Sequence, residues 1–252
     1  MKHTVRIEEV VSDLSIDWLT GKIHIYQHDQ PDILVHQITS NSFPERYLFD
    51  YQLREGTLLI QDGRQRRMSI GFHLHRTDLD IYLPKRIFNS FSIHSKGAHL
   101  FTNDMDVEHF KAQLTSGKAV LSGNMKNLFI HAVGCHISGG QLFNQKLNVQ
   151  TTSSRVDLSG EFSDIHVNST ARRIHITSST MLNSLHSIST GASVHVVIPD
   201  NNGFTCRLKK VSGAFQNEFI SVAEKGKYVY KDGLKLFDIE IRGGKFRLSK
   251  TR

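Results

Sequence analysis

Apolar residues along most of the chain alternate with polar ones, as in Leu147-x-Val149-x-Thr151 and Val156-x-Leu158. That is the period of a half-buried strand, not of a helix. The alternation itself recurs. One apolar column runs Phe91, Phe110, Leu128, Leu147, Ile165, Leu185, and a second runs Leu100, Ala119, Ile137, Val156, Ile174, Val194. Both advance by 19, 18, 19, 18 and 20 residues. Two independent positions that share one spacing series define an internal repeat.

A third column, Gly97, Ser116, Gly134, Ser153, Ala171 and Gly191, lies between the other two, and every member is small. Small residues between short strands fit a tight corner, where stacked turns leave no room for bulk. The repeat predicts an all-β fold, a parallel β-solenoid (β-helix) with coils of 18–20 residues. Each coil makes two or three short strands, and successive coils pair their backbones at about 4.8 Å. The phase extends backwards to Phe72 and Leu74 and, in the second column, to Ile81 and Leu83; forwards it reaches Phe204 and Cys206.

The chain reads as a single domain, with divergent coils and a hairpin cap over 1–70, regular coils over 71–215 and a cap over 216–252. The hairpin joins 47–53 to 57–60 around Glu55-Gly56. Strand candidates at the other end are 227–230, 236–241 and 245–248, with Asp232-Gly233 and Gly243-Gly244 as turns. Irregular β caps are expected because an open solenoid end exposes unpaired edges. Helix content should be very low.

Charge adds a direction to this picture. Lys and Arg number 31 against 24 Asp and Glu, a net charge of +7, and fifteen histidines add a reserve in mild acid. No apolar run approaches the roughly 18 residues of a membrane-spanning helix. No apolar stretch follows the basic start, so no signal peptide is expected and the location reads as cytoplasmic, peripheral at a membrane. Two cysteines exclude a disulfide scaffold or zinc ribbon. Cys135 and Cys206 lie about four coils apart, roughly 19 Å, beyond disulfide reach, and should be free thiols.

The repeat register names outward neighbours. The position before the second apolar column reads His99, Lys118, His136, Arg155, Arg173 and then Ser193. Like charges side by side on neighbouring strands are destabilising. A line that keeps them is an anion-binding candidate, though Asp157 could pair diagonally with Arg155 or Arg173. The partner would be a protein or an anionic envelope polymer or membrane surface. Nucleic acid is a poorer fit, since the line has no aromatic residue on which bases could stack.

The position after the same column stacks Asp157, His175 and His195, while His166 pairs with His186, and His73 with His75 on one strand. Nitrogen and oxygen ligands suit zinc. Flat parallel strands converge little, however, and the expectation is a polar ladder with no metal and no cofactor.

The segment 147–160 (LNVQTTSSRVDLSG), the early Leu14-x-Ile16 with Gly21-x-Ile23-x-Ile25, and the closing Gly243-Gly-Lys-Phe-Arg-Leu248 resemble an uncharacterised bacterial β-strand-repeat family labelled "putative adhesins". The resemblance covers most of the chain. It implies a right-handed solenoid, no catalytic residues, and association with the bacterial envelope. The reading is therefore a non-catalytic interaction scaffold. The competing reading is a carbohydrate-active β-helix enzyme, a polysaccharide lyase or hydrolase. A hydrolase needs two carboxylates flanking the bond, whereas Asp80, Asp104, Asp106, Asp157, Glu161 and Asp164 are scattered. A third reading is a homo-oligomer joined through the solenoid ends.

Overall fold

The computed structural model describes residues 1–66 and 77–251. Phe72, Leu74 and the His73–His75 pair lie outside the described residues. Those described form strands, two 3-10 turns (Glu45–Tyr47 and Gly63–Arg66) and no α-helix. The N-terminal strands are β1 (Lys2–Ile7), β2 (Asp13–His28), β3 (Ile33–Ile38), β4 (Asp50–Arg54), β5 (Thr57–Gln61) and β6 (Asp78–Pro84). The middle of the chain supplies β7 (Phe88–Thr102), β8 (Met105–Thr115), β9 (Lys118–Val133), β10 (His136–Thr152) and β11 (Arg155–Thr170). It continues through β12 (Arg173–Ser178), β13 (Ser184–Thr190) and β14 (Ala192–Ile198). The last strands are β15 (Gly203–Asn217), β16 (Val222–Glu224), β17 (Lys227–Lys231) and β18 (Lys235–Lys250).

From β7 to β14 the coils pair parallel in the register that the spacing predicts. Phe91, Phe110, Leu128, Leu147, Ile165 and Leu185 stand opposite one another along sheet I. Leu100, Ala119, Ile137, Val156, Ile174 and Val194 do the same along sheet II. All twelve are at most 2% exposed and belong to one continuous core. Each large side chain so buried contributes about 1.5–3 kcal/mol. The long strands β9, β10 and β11 run through both sheets: Ile137 of β10 lies in sheet II and Leu147 in sheet I.

The small column is a backbone requirement. Ser116, Gly134, Ser153, Ala171 and Gly191 have φ of 59, 66, 51, 56 and 61°; only Gly97 departs from this left-handed conformation. The same residues form a ladder up the corner: the N–H of Ser116 donates to Val133 O (2.8 Å), Gly134 to Thr152 O (3.0 Å), Ser153 to Thr170 O (2.9 Å) and Ala171 to Thr190 O (3.0 Å). A Cβ at Gly191 would meet nothing within 4 Å, and at Gly134 only Ser116 Oγ at 4.0 Å. At these two positions conformation, not the crowding expected from the sequence, favours glycine.

At both ends the stack departs from chain order. In sheet II, β2 lies between β6 and β7, so that Ile23 is opposite Leu79 and Leu100, and Ile25 opposite Ile81 and Thr102. In sheet I it lies between β5 and β7, with Leu14 opposite Leu58 and Phe91. Ile81 and Leu83 therefore do not abut Leu100 and Thr102, as a simple 19-residue step would have it; the N-terminal strand occupies that rung. At the other end β18 is threaded between the β13–β14 coil and β15. Phe237 is opposite Leu185 and Cys206, and Phe246 opposite Val194 and Phe215. Phe204 and Cys206 accordingly stand one rung further out than the repeat implied, and two residues out of its register, since Cys206 and not Phe204 continues the Leu185 column.

Gly243 and Gly244 lie inside β18, where it passes from sheet I to sheet II, instead of forming a turn between two strands. A Cβ on Gly244 would come within 2.0 Å of Ala192 O. Antiparallel strands finish both ends: β3 on β6, β1 on β3 and β4 on β5, then β17 on β15 and β16 on β17. Burying β2 and β18 as inner rungs pairs both edges of each and leaves short antiparallel pieces as caps. A buried ion pair secures the N-terminal threading. Arg64 Nε donates to Asp62 Oδ1 at 2.8 Å, Arg64 also donates to Thr20 O at 2.9 Å, and Asp62 Oδ2 accepts from Leu19 N–H at 3.1 Å.

Candidate functional site

Residues that alternate with the sheet II core column point outward. Lys118 is opposite His136, His136 opposite Arg155, and Arg173 opposite Ser193. His99 precedes Leu100, whose partner Ala119 follows Lys118; Arg155 and Arg173 precede the Val156–Ile174 pair. All five residues of the expected line, His99, Lys118, His136, Arg155 and Arg173, are exposed. The threaded strands lengthen it. Lys22 of β2 stands opposite His99, and Lys245 of β18 stands opposite Ser193. The sequence reading missed both, because nothing in their spacing along the chain places them on this line.

Among the described residues none of these basic side chains enters an ion pair. Asp157 pairs with neither Arg155 nor Arg173. Some basic residues elsewhere are paired, Lys126 with Glu108 at 2.8 Å, Lys209 and Arg242 with Glu240 at 3.4 and 2.6 Å, and Lys250 with Asp200 at 3.2 Å.

The next outward line brings Asp157, His175, His195 and Arg247 opposite one another. The two histidines meet, with Nδ1 atoms 3.1 Å apart and ring centroids at 4.7 Å. Their Nε2 atoms bond to hydroxyls, His175 to Thr177 Oγ1 at 3.2 Å and His195 to Ser249 Oγ at 2.9 Å. Burial pushes the His195 pKa down, and His175, Arg247 and Arg173 add to this while Glu218 opposes it. Asp157 does not join them, and among the described residues no three His, Cys, Asp or Glu side chains assemble a metal shell. On sheet I His166 and His186 stack with centroids 4.6 Å apart.

A third feature, not anticipated, is a group of rings at the N-terminal end of sheet II. His24 is opposite Asp80 and Phe101, and Tyr26 is opposite Tyr82. Ring centroids are 5.0 Å apart for His24–Phe101, 5.8 Å for His24–Tyr26 and 5.1 Å for Tyr26–Tyr82, with interplanar angles of 24–28°. His36 meets Tyr82 edge-on at 5.4 Å, and His24 Nδ1 lies 2.8 Å from Asp80 Oδ1. Burial, with Asp80 beside them, pushes both tyrosine pKa values up, so their hydroxyls stay protonated. No alternation signal could have found the group, because it joins segments near residues 24, 80 and 101 through the threaded β2.

The side between the two sheets has the opposite polarity. Asp106, Asn124, Phe143 and Glu161 stand opposite one another and line a groove of about 420 Å³. Asp164 accepts instead from Ser184 Oγ at 2.5 Å. Both cysteines are free and buried, and burial pushes the Cys206 thiol up to about 12. No helix among the described residues is long and apolar enough to cross a membrane.

Solved structures resemble this one. A "putative adhesin" from Bacteroides fragilis NCTC 9343 is 14% identical, with 98% of this chain and 97% of that one covered and a TM-score of 0.51, and has the same fold. A "putative cell adhesion protein" from Clostridium sporogenes ATCC 15579 is also 14% identical over 100% and 99% of the two chains, with a TM-score of 0.41. A "putative lipid binding protein" from Parabacteroides distasonis ATCC 8503 is 12% identical over 98% and 96%, with a TM-score of 0.31. No curated protein sequence matches the chain. The family match is more direct: residues 11–232 fit the Toastrack DUF4097 family, and the chain, with its stacked parallel rungs, belongs to that family.

Proposed function

We propose that the protein is a non-catalytic binding scaffold that holds an extended polyanion along sheet II. The observation that carries this reading is the line Lys22, His99, Lys118, His136, Arg155, Arg173 and Lys245, none of whose basic side chains enters an ion pair among the described residues, although the Lys22 backbone N–H donates to Asp78 Oδ1 at 2.8 Å. Neighbouring rungs are about 4.8 Å apart. That is well inside the roughly 8 Å Debye length of physiological salt, so Arg155 and Arg173 act together, while Lys22, Lys118 and Arg155, and then Arg173 and Lys245, stand two rungs apart with a histidine or Ser193 between them. Such a row costs folding free energy. A linear polyanion lying across the rungs would neutralise it and release its own counterions, a favourable and salt-dependent gain. The names of the similar structures, adhesin and cell adhesion protein, agree with a binding role. This role would hold the protein peripherally at an anionic envelope surface or polymer.

The test is binding to linear polyphosphate and to vesicles containing phosphatidylglycerol, with phosphatidylcholine vesicles as the uncharged control. The variant Lys118→Ser/Arg155→Ser/Arg173→Ser should bind at least about tenfold more weakly, with a shallower salt dependence and a melting temperature no lower than that of the parent protein. Salt-insensitive binding, equal in the variant and the parent protein, would remove the basic line from consideration. So would the absence of binding to any polyanion.

A further inference from the structure

We infer that the polyanion is a polysaccharide, read by the ring cluster at the N-terminal end of sheet II. This rests on the reading of sheet II as a polyanion surface and adds the chemical class of its ligand.

Three observations carry it. The first is that the rings are not demanded by the core. The inward residues of the same strands, Ile23, Ile25, Ile81 and Leu100, already fill it at 0–1% exposure. His24, Tyr26, Tyr82 and Phe101 sit on the opposite, outward side and remain partly exposed. Elsewhere on these outward lines stand Val120, Ser138, Asp157, His175 and His195, then Ser159 and Thr177, with no Phe, Tyr or Trp among them. Partly exposed aromatic groups rimmed by polar residues mark interaction sites, where Tyr offers an apolar body and a polar tip.

The second is contiguity. Lys22 and His24 share β2, and His99 and Phe101 share β7, each pair two residues apart on one face. Rings and cations therefore occupy the same rungs. A chain laid along the basic line passes beside His24 and Phe101, about 7 Å along the strands, and turns along β2 to meet Tyr26 and Tyr82, about 13 Å from the line.

The third is the chemistry on offer. Stacking at 24–28° leaves the cluster presenting ring edges and two protonated phenol hydroxyls, and His24 Nε2 has no hydrogen-bond partner among the described residues. Asp80 Oδ1 is taken by His24, while its Oδ2 has no hydrogen-bond partner among the described residues. Sugars present both hydroxyl donors and hydroxyl acceptors around an apolar C–H face, which this mixture of donors, a carboxylate and carbon edges can meet. A nucleic acid fits less well. Its bases need an open ring face for stacking, and the stacked rings here offer edges instead. Phospholipid headgroups and polyphosphate satisfy the cations and leave the rings unused.

The experiment compares binding of the full chain to dextran sulfate, neutral dextran, linear polyphosphate and single-stranded DNA. It uses Tyr26→Ser/Tyr82→Ser beside the triple variant of the basic line. The tyrosine variant should lose about tenfold on dextran sulfate while polyphosphate is unaffected; the basic-line variant should lose both. Tyr26→Phe/Tyr82→Phe, which keeps the rings, should lose about threefold on dextran sulfate and serves if the serine pair folds poorly. Undiminished dextran sulfate binding by both tyrosine variants would overturn the inference, as would equal losses on polyphosphate and dextran sulfate. Tighter binding of DNA than of dextran sulfate would also overturn it. In each case the polyanion reading survives if polyphosphate binding still depends on Lys118, Arg155 and Arg173. If polyphosphate and dextran sulfate both fail to bind the parent protein, both readings fall.

Discussion

His175 Nδ1 lies 3.1 Å from His195 Nδ1 on the adjoining rung, so in the neutral pair one ring donates the shared proton and the other accepts it. A proton added to the accepting Nδ1 would break this contact. It would also have to arrive beside Arg173 and Arg247, with Asp157 and Glu218 the nearby acids. The His195 pKa is lowered by burial first, then by His175, Arg247 and, least, Arg173, so the unfolded chain takes up a proton before the folded protein does. The stability this contributes is present in full above the ordinary value of 6.5 and is lost as the pH falls from there through the lowered value. His36 and His166, both lowered mainly by burial, act in the same direction. Urea unfolding between pH 7.5 and pH 5 should show stability falling with acidification, and His195→Gln should flatten that slope. A slope unchanged in the variant would refute the assignment. Polyanion bound to sheet II would favour charged imidazoles and oppose the trend.

The left-handed corner makes two substitutions informative. Ala171 holds φ 56° with a side chain that the conformation disfavours. Ala171→Gly should raise stability by about 0.5–1 kcal/mol. Gly191 holds φ 61° with nothing within 4 Å of an added Cβ. Gly191→Val should nonetheless cost about 1–2 kcal/mol. Denaturant midpoints at constant slope read both; a neutral Gly191→Val would dismiss backbone conformation as the reason for this column.

Phe237 tests the threaded terminus. It is fully buried, stands between Leu185 and Cys206, and stacks on Phe204 with centroids 4.5 Å apart. In a solenoid each rung is held by its neighbours, and this rung joins the body to β15. Phe237→Ala should cost about 3–5 kcal/mol, and hydrogen exchange should lose protection in β15 and β17 before β9 and β10. Loss confined to β18 would mean that the outer strands stand without it.

Much of the stack is legible in the sequence. Val156 and Ile174 could be named as neighbours because each coil must turn the same side chains inward, and a core column tolerates little else. His99, Lys118, His136, Arg155 and Arg173 followed from the same register. The histidines His175 and His195 could be placed together. That Asp157 stays apart from them could not, since rung position does not specify where a side chain on a flat face turns.

What the sequence by itself determined was the rung: its length, its inward columns and the cations that alternate with them, all consequences of strand periodicity and burial. What only the tertiary structure decided was the order of rungs at the ends. Parallel pairing is made by backbone N–H and C=O groups that every residue but proline supplies alike, so an alternating strand can slot between two others wherever the chain reaches. That choice sets Lys22 beside His99, Lys245 beside Ser193, and His24 and Tyr26 between Asp80, Tyr82 and Phe101.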